Sequence, residues 1–254
     1  MNPGALPADT GRSNAPGSLV DHADATPRSA LLPAERDEAY ALLAAHFDGV
    51  TPEQFAHDLD GKDWILRIRR GDRLVGFSTL QVYATTFEER RLNVIYSGDT
   101  IMAPEAWGSP VLARAWTAMV RRIQRPRATE PWYWLLLSSG FRTYRFLPVF
   151  LREFWPRHDA PTPDHATRLL AHLARERFGT EFDGRAGVVR FARPQRLREV
   201  LATVPGGKRR DPHVGFFLAR NPGHAAGDEL VCLASLGDEN VTAAGARMLR
   251  GIGR

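Results

Sequence analysis

Residues 91–116 read RLNVIYSGDTIMAPEAWGSPVLARAW, and this stretch decides the fold. Residues 92–102 predict a strand, 104–109 a loop, and 109–123 an amphipathic helix. The first turn of a helix has free N–H groups and a partial positive charge. A strand that runs through small residues into such a turn can therefore hold a pyrophosphate. Inside the strand, Ser97-Gly98-Asp99-Thr100 interrupts the apolar run. A glycine within a strand often marks a bulge or a close backbone approach.

Upstream, Pro33 opens a helix with Ala39, Leu42, Leu43 and Phe47 on one face. Thr51 is a good N-cap and Pro52 a good first residue for a second helix. Trp64, Ile65, Leu66 and Ile68 then predict a strand, Arg70-Gly71-Asp72-Arg73 a turn, and residues 74–83 a second strand. Downstream, WYWLLLS at 132–138 is nearly continuously apolar, as a strand buried on both faces is. It leads through Ser138-Ser139-Gly140 into FRTYRFLPVFLREFWP, predicted helical with an interruption at Pro148. A helix over 164–178, a strand over 187–191 and a short helix over 194–203 follow. Residues 213–220 read as strand or helix, 229–236 as a late strand, and a last helix starts at Asp238 or Asn240. Three strands joined by tight turns argue for an antiparallel meander, and the strand–helix–strand after them for a right-handed parallel crossover. The predicted class is α/β: one domain over 31–254 with a mixed, mostly antiparallel central sheet flanked by helices. Residues 1 to about 30 are poor in apolar side chains and read as a disordered tail.

Of the 254 residues, 43% are hydrophobic and 25% charged, an ordinary globular composition. One cysteine, Cys232, excludes an intramolecular disulfide framework, and its apolar strand marks it as a core thiol. No apolar run approaches the roughly 20 residues of a bilayer span, and the start lacks the pattern of a signal peptide. A cytoplasmic protein is the expectation. The histidines show no metal-ligand spacing, so no metal is expected. The net charge is +5, and only Lys62 and Lys208 are lysine. Residues 114–157 hold nine arginines against Glu130 and Glu153, a concentration suited to a polyanion or equally to a solvated surface.

The element order, with that loop after the third strand, resembles the GNAT superfamily of N-acetyltransferases over about residues 34–155. IMAPEAWGSPVLARAW is similar to the family's cofactor motif: an apolar strand, Pro, two variable residues, Arg or Gln, then Gly-x-Gly-x-Gly or Ala. Pro104 and Gly108 keep the pattern, whereas Trp107 replaces the Arg or Gln, Pro110 the second Gly and Leu112 the third small residue. Pro110 has no N–H to offer but starts a helix well, with Ser109 before it as N-cap. The resemblance implies a GNAT-like sheet and acetyl-CoA or acyl-CoA as co-substrate. It places Met102, Trp107, Gly108, Ser109, Val111 and Leu112 at the cofactor, with the N–H groups of Gly108, Ser109, Val111 and Leu112 turned to the anion. Arg142 and Arg145 would meet phosphate or an acidic carrier. It also implies Tyr144 as the general acid for the thiolate, and Asp99, at the family's strand bulge, as the base.

The first functional reading is therefore transfer of an acyl group from a thioester, acyl-CoA or an acyl carrier protein, to an amine. The second is a catalytically inactive protein of that fold binding a ligand or protein partner, which the altered glycines favour. A nucleic-acid partner is disfavoured, because the aromatics of residues 132–134 fall in an apolar strand. His158, His213 and His224 stand in loops or at element ends as minor candidates.

Overall fold

The computed structural model describes residues 21–250. It contains strands β1 (Asp21–Pro27), β2 (Phe47–Asp48), β3 (Trp64–Arg70), β4 (Arg73–Phe87), β5 (Arg90–Met102) and β6 (Trp132–Ser138). The later strands are β7 (Phe182–Asp183), β8 (Val188–Val189), β9 (Arg196–Leu197) and β10 (Glu229–Ser235). The helices are α1 (Pro33–His46), α2 (Pro52–Asp60), α3 (Val111–Gln124), α4 (Phe141–Tyr144) and α5 (Phe146–Phe150). They continue with α6 (Asp164–Phe178), α7 (Glu199–Ala202), α8 (Pro212–Arg220) and α9 (Ala243–Arg250).

Eight strands form one sheet in the order β1-β3-β4-β5-β6-β10-β8-β7. Only β5 and β6 run parallel; every other pair is antiparallel. The fold is a large mixed and mostly antiparallel sheet between helical layers, as the element order implied. Both faces of the centre are covered. Trp134, Leu136, Leu230 and Cys232 pack with Leu112, Val120 and Phe217 on one face. Leu135, Leu137, Val231 and Leu233 pack with Leu169 and Leu173 of α6 on the other. The unbroken apolar run 132–138 exists because neither set of alternate side chains meets solvent. Farther along that second face, α1 and α2 cover Ile65, Phe77 and Ile101.

Two departures from the sequence reading have clear causes. Asp21–Pro27, placed in the tail, is an edge strand; residues 1–20 of that tail lie outside the described residues. Its few apolar groups, Ala23 and Ala25, only flank the core. Its acids recruit it, because it lies against arginine-rich β3. Arg70 donates to both oxygens of Asp21 at 2.7 and 3.2 Å, and Arg67 to Asp24 Oδ1 at 2.6 Å. Residues 213–220, left open, are helical. Asp211 caps α8 by accepting from His213 N–H, and Pro212 stands in the first turn.

The decisive detail lies in β5. Ser78 pairs with Thr100 and Leu80 with Ser97, so Gly98 and Asp99 together oppose Thr79 alone. That is the β-bulge expected at Gly98. The extra residue inverts the facing of everything after it. Tyr96 packs toward α6, whereas Met102 packs toward α3. Pairing with β6 runs from Asn93–Trp132 to Ser97–Leu136 and stops there. The last rungs are braced by Trp134 Nε1, which donates to Ser97 Oγ at 3.0 Å, and by Trp116 of α3 tilted on Trp134 with centroids 4.2 Å apart.

Both Ser97 and Trp134 are buried, so a lost donor leaves an unpaired hydroxyl. Trp134→Phe is expected to destabilise the protein by about 1–3 kcal/mol. Ser97→Ala in that background should recover part of the loss. A double-mutant cycle in urea is expected to show about 1 kcal/mol of coupling, and none would contradict the brace.

Candidate active site

Where β5 turns away from β6, the sheet opens into a cavity of about 1200 Å³. Its walls come from both layers. On the α3 side stand Met102, Trp107, Ser109, Pro110, Leu112, Arg142 and Arg145. On the α2 and α6 side stand His57, Asp58, Lys62, Arg177, Phe178 and Phe191. Gly98, Asp99 and Thr100 of the bulge, with Ser139 and Glu229, lie between.

The polar centre gathers five charged groups. Lys62, just past α2, is buried at 6% exposure, and its Nζ donates to the backbone carbonyl of Asp58 at 3.0 Å. Arg177 of α6 stacks over the Tyr96 ring at 4.2 Å, and Lys62 Nζ lies 5.5 Å from the same ring. Neither cation has a carboxylate within 4 Å among the described residues. Thr79 Oγ1 donates to Asp99 at 3.4 Å. Glu229, the first residue of β10, keeps only a partial exposure, turned to the cavity. Loss of water pushes its carboxyl up to about 7; nearby Asp99 and Asp58 add to this, while Ser139 and Lys62 oppose it. Burial, then the charge of Asp99, also raises Asp58. Burial lowers Lys62, against the pull of Asp99.

The implied cofactor residues are mostly brought together. Met102, Trp107, Ser109, Leu112, Arg142 and Arg145 line the cavity, whereas Gly108 and Val111 do not. The loop spends two of the four amides expected to face an anion. Ser109 N–H donates to Ala106 O at 3.0 Å, and Val111 N–H reaches Ser109 Oγ at 3.4 Å. Among the described residues the N–H groups of Gly108 and Leu112 enter no loop or cap bond. Trp107 does not imitate the arginine it replaces. Its Nε1 donates to Met102 O at 2.7 Å, and its ring carries the Arg142 guanidinium at 3.9 Å. Arg142 also donates to Leu201 O at 2.8 Å, and Arg145 pairs with Asp211 at 3.0 Å.

Asp99 stands in the cavity wall; Tyr144 does not. The tyrosine is fully buried among Phe154, Phe216 and Phe217, and its hydroxyl donates to Pro156 O at 2.9 Å. Burial drives its acidity well below that of a free phenol. The helix is where the resemblance put it, but the ring faces the core instead of the cleft. His158, His213 and His224 are also away from the cavity wall. The sequence reading missed Asp58, Lys62, Arg177 and Glu229. Only Glu229 left a trace, a carboxylate opening the otherwise apolar strand ELVCLAS. Cys232 is the buried thiol expected, pushed up to about 12 by burial. Among the described residues no group of three or more His, Cys, Asp or Glu is set to hold a metal, and no helix is long and apolar enough to cross a membrane.

No protein-family model matches the chain, and no curated protein matches it in sequence. Solved structures do resemble it. One is a probable N-acyltransferase from Enterococcus faecalis, at 13% identity and a TM-score of 0.41 over 53% of this chain. The chain spans only 33% of that protein's length. The Escherichia coli protein ElaA matches 57% of this chain and 94% of its own, at 17% identity and a TM-score of 0.36. The GNAT family N-acetyltransferase YhbS from Escherichia coli, solved with CoA, matches 47% of this chain and 64% of its own, at 12% identity and 0.36.

The raised Glu229 has a consequence for stability. The folded protein holds that proton more tightly than the unfolded chain, so stability falls as pH rises from about 4.5 to about 7. Above that window Glu229→Gln is expected to stabilise the protein by up to about 3 kcal/mol, at 1.36 kcal/mol for each unit of pKa. At pH 4.5 and below it should change little. Urea melts at pH 8 and pH 4.5 check this, and equal stability of variant and wild type at pH 8 would contradict it.

Proposed function

We propose that the protein is an N-acyltransferase that moves an acyl group from acyl-CoA to an amine, with Glu229 as the general base. One observation carries the reading: the sheet parts at a bulge, and the gap holds a half-buried carboxylate that loss of water raises to about 7. The thioester would lie along the open edge of β5, where backbone N–H groups can take up the oxyanion of the tetrahedral intermediate. The α3 side takes the nucleotide-bearing end, with phosphate held by the Leu112 amide and by Arg142. The amine enters from the α2 and α6 side.

The amine is the nucleophile only when neutral. Its proton passes to Glu229 as nitrogen attacks the carbonyl carbon. The C–S bond then breaks, its electron pair going to sulfur, and the amide is left. Asp99 serves this step through its charge, which makes the neighbouring Glu229 carboxylate a stronger base. CoA is favoured over a carrier protein as donor because the 114–157 arginines are largely committed. Arg121, Arg145 and Arg157 pair with Asp238, Asp211 and Asp159, and Arg152 donates to a carbonyl.

Coenzyme A or acetyl-CoA is expected to raise the melting temperature, since a ligand of the folded state alone must do so. No shift at millimolar concentration would leave the binding-only alternative. Glu229→Gln should lower kcat by about 10²–10⁴ while keeping that shift. In wild type, kcat/KM should rise with pH through about 7, as the base must be ionised. Asp99→Asn should move this limb to lower pH. An unmoved limb would remove Asp99 from the assignment.

A further inference from the structure

With Tyr144 in the core, the leaving thiolate lacks its expected acid. We propose that Lys62 supplies it: the ammonium held over Gly98 at the bulge protonates the sulfur as the C–S bond breaks. This rests on the acyl-transfer reading and names a further catalytic residue for it.

Four observations carry it. The first is placement. A Cβ built on Gly98 would stand 3.0 Å from Lys62 Cε and 3.2 Å from Nζ, so the ammonium lies directly against the bulge, closer than a side chain there would ordinarily leave it. The second is the incomplete bonding of a buried cation. Nζ has three donors, and the Asp58 carbonyl takes one. Among the described residues no carboxylate pairs with it within 4 Å, so its compensation is partial: one carbonyl, the Tyr96 ring and the more distant field of Asp99, Asp58 and Glu229. The third is residue choice. Thirty-two of the 34 basic residues are arginine, which does not release its proton, yet this position holds a lysine, which can. The fourth is the surroundings. Asp58 of α2, Asp99 of β5 and Glu229 of β10 favour the charged form, whereas desolvation and Arg177 of α6 disfavour it. The balance leaves a stronger acid than a solvent lysine, closer to a thiol in proton affinity, as efficient transfer requires. The Tyr96 hydroxyl, 3.3 Å from the same built Cβ, is the competitor, but burial raises it away from that match.

The step balances. The amine proton goes to the Glu229 carboxylate, the C–S electron pair to sulfur, and the Lys62 proton to that sulfur, giving free thiol. Solvent in the cavity returns a proton from Glu229 to the neutral Lys62 amine.

The test compares wild type, Lys62→Arg, Lys62→Met and Tyr96→Phe in single-turnover transfer to hydroxylamine. One donor is acetyl-CoA. The other is the acetyl thioester of 4-nitrothiophenol, whose thiolate leaves without a proton. Both Lys62 variants should lose about 100-fold or more with acetyl-CoA and stay within a few-fold of wild type with the aryl thioester. Retained activity in Lys62→Arg, which keeps the charge, would overturn the proposal. So would equal losses with both donors, or a leaving-group dependence that follows Tyr96→Phe instead. A wild type that transfers from neither donor would overturn the acyl-transfer reading itself. A readout free of turnover stands beside these. With [ε-¹³C]lysine the protein shows two lysine signals, assigned by Lys208→Arg. The Lys62 signal should titrate below the range of a solvent lysine, and it should shift when S-ethyl-coenzyme A binds, binding being scored by thermal shift. A bound thioether that leaves the signal unmoved would overturn the assignment.

Discussion

The structure depends on one broken contact: β5 and β6 stop pairing after Ser97 and Leu136. Parallel strands are normally buried along their whole length, because their unpaired N–H and C=O groups have nowhere else to go. Here the bulge at Gly98 and Asp99 bends β5 while β4 keeps its other edge satisfied from Ser78–Thr100 to Gly76–Met102. The strand thus leaves one neighbour without losing both. Trp134 and Trp116 fix where the parting begins, and the apolar packing of both faces holds the halves around it. The cavity follows from a register defect that the surrounding core is rigid enough to keep.

That opening concentrates charge where water is scarce. Lys62 and Arg177 lie against Tyr96, with Asp58, Asp99 and Glu229 lining the same space. Had each cation paired with a carboxylate, the carboxyl would be held low and the cation high, away from neutrality. Instead the groups share one field without closing into ion pairs. The carboxyl of Glu229 is pushed up and the ammonium of Lys62 down, so base and acid approach each other in proton affinity from opposite sides. Environments that move two groups in this way are what acid–base chemistry near neutral pH needs.

How much of this was legible depended on the distance over which each residue acts. The bulge was readable because Gly98 breaks a local alternation, and the doubly buried strand because WYWLLLS has no polar phase. Strand β1 was not readable. DHADATP has the composition of a tail and becomes a strand only when Asp21 and Asp24 meet Arg70 and Arg67, more than forty residues away. Tyr144 was misplaced for a related reason. Helical spacing reports that a face is buried and leaves open whether its neighbour is a cleft or Phe154 and Phe217. Lys62 and Glu229 are 167 positions apart, and neither carries a motif. Residues 160–254, beyond the stretch that carries the family resemblance, supply Arg177 and Glu229 to the cavity.

The same logic explains the altered loop before α3. A glycine-rich loop binds phosphate through amides, which are fixed, uncharged and insensitive to neighbouring side chains. Here Ser109 spends its amide on Ala106, Pro110 has none, and Trp107 ties its ring to Met102 O. What the loop loses in donors it gains in a platform. The Trp107 face holds the Arg142 guanidinium, and Leu201 O takes one of its donors at Nη1. A guanidinium held in this way keeps its other donors for a ligand, and ordering it for a phosphate loses little rotamer entropy. The loop thus exchanges a backbone cradle for an oriented cation. Under the proposed function, an anion-binding role survives the loss of two of the glycine motif's three small residues.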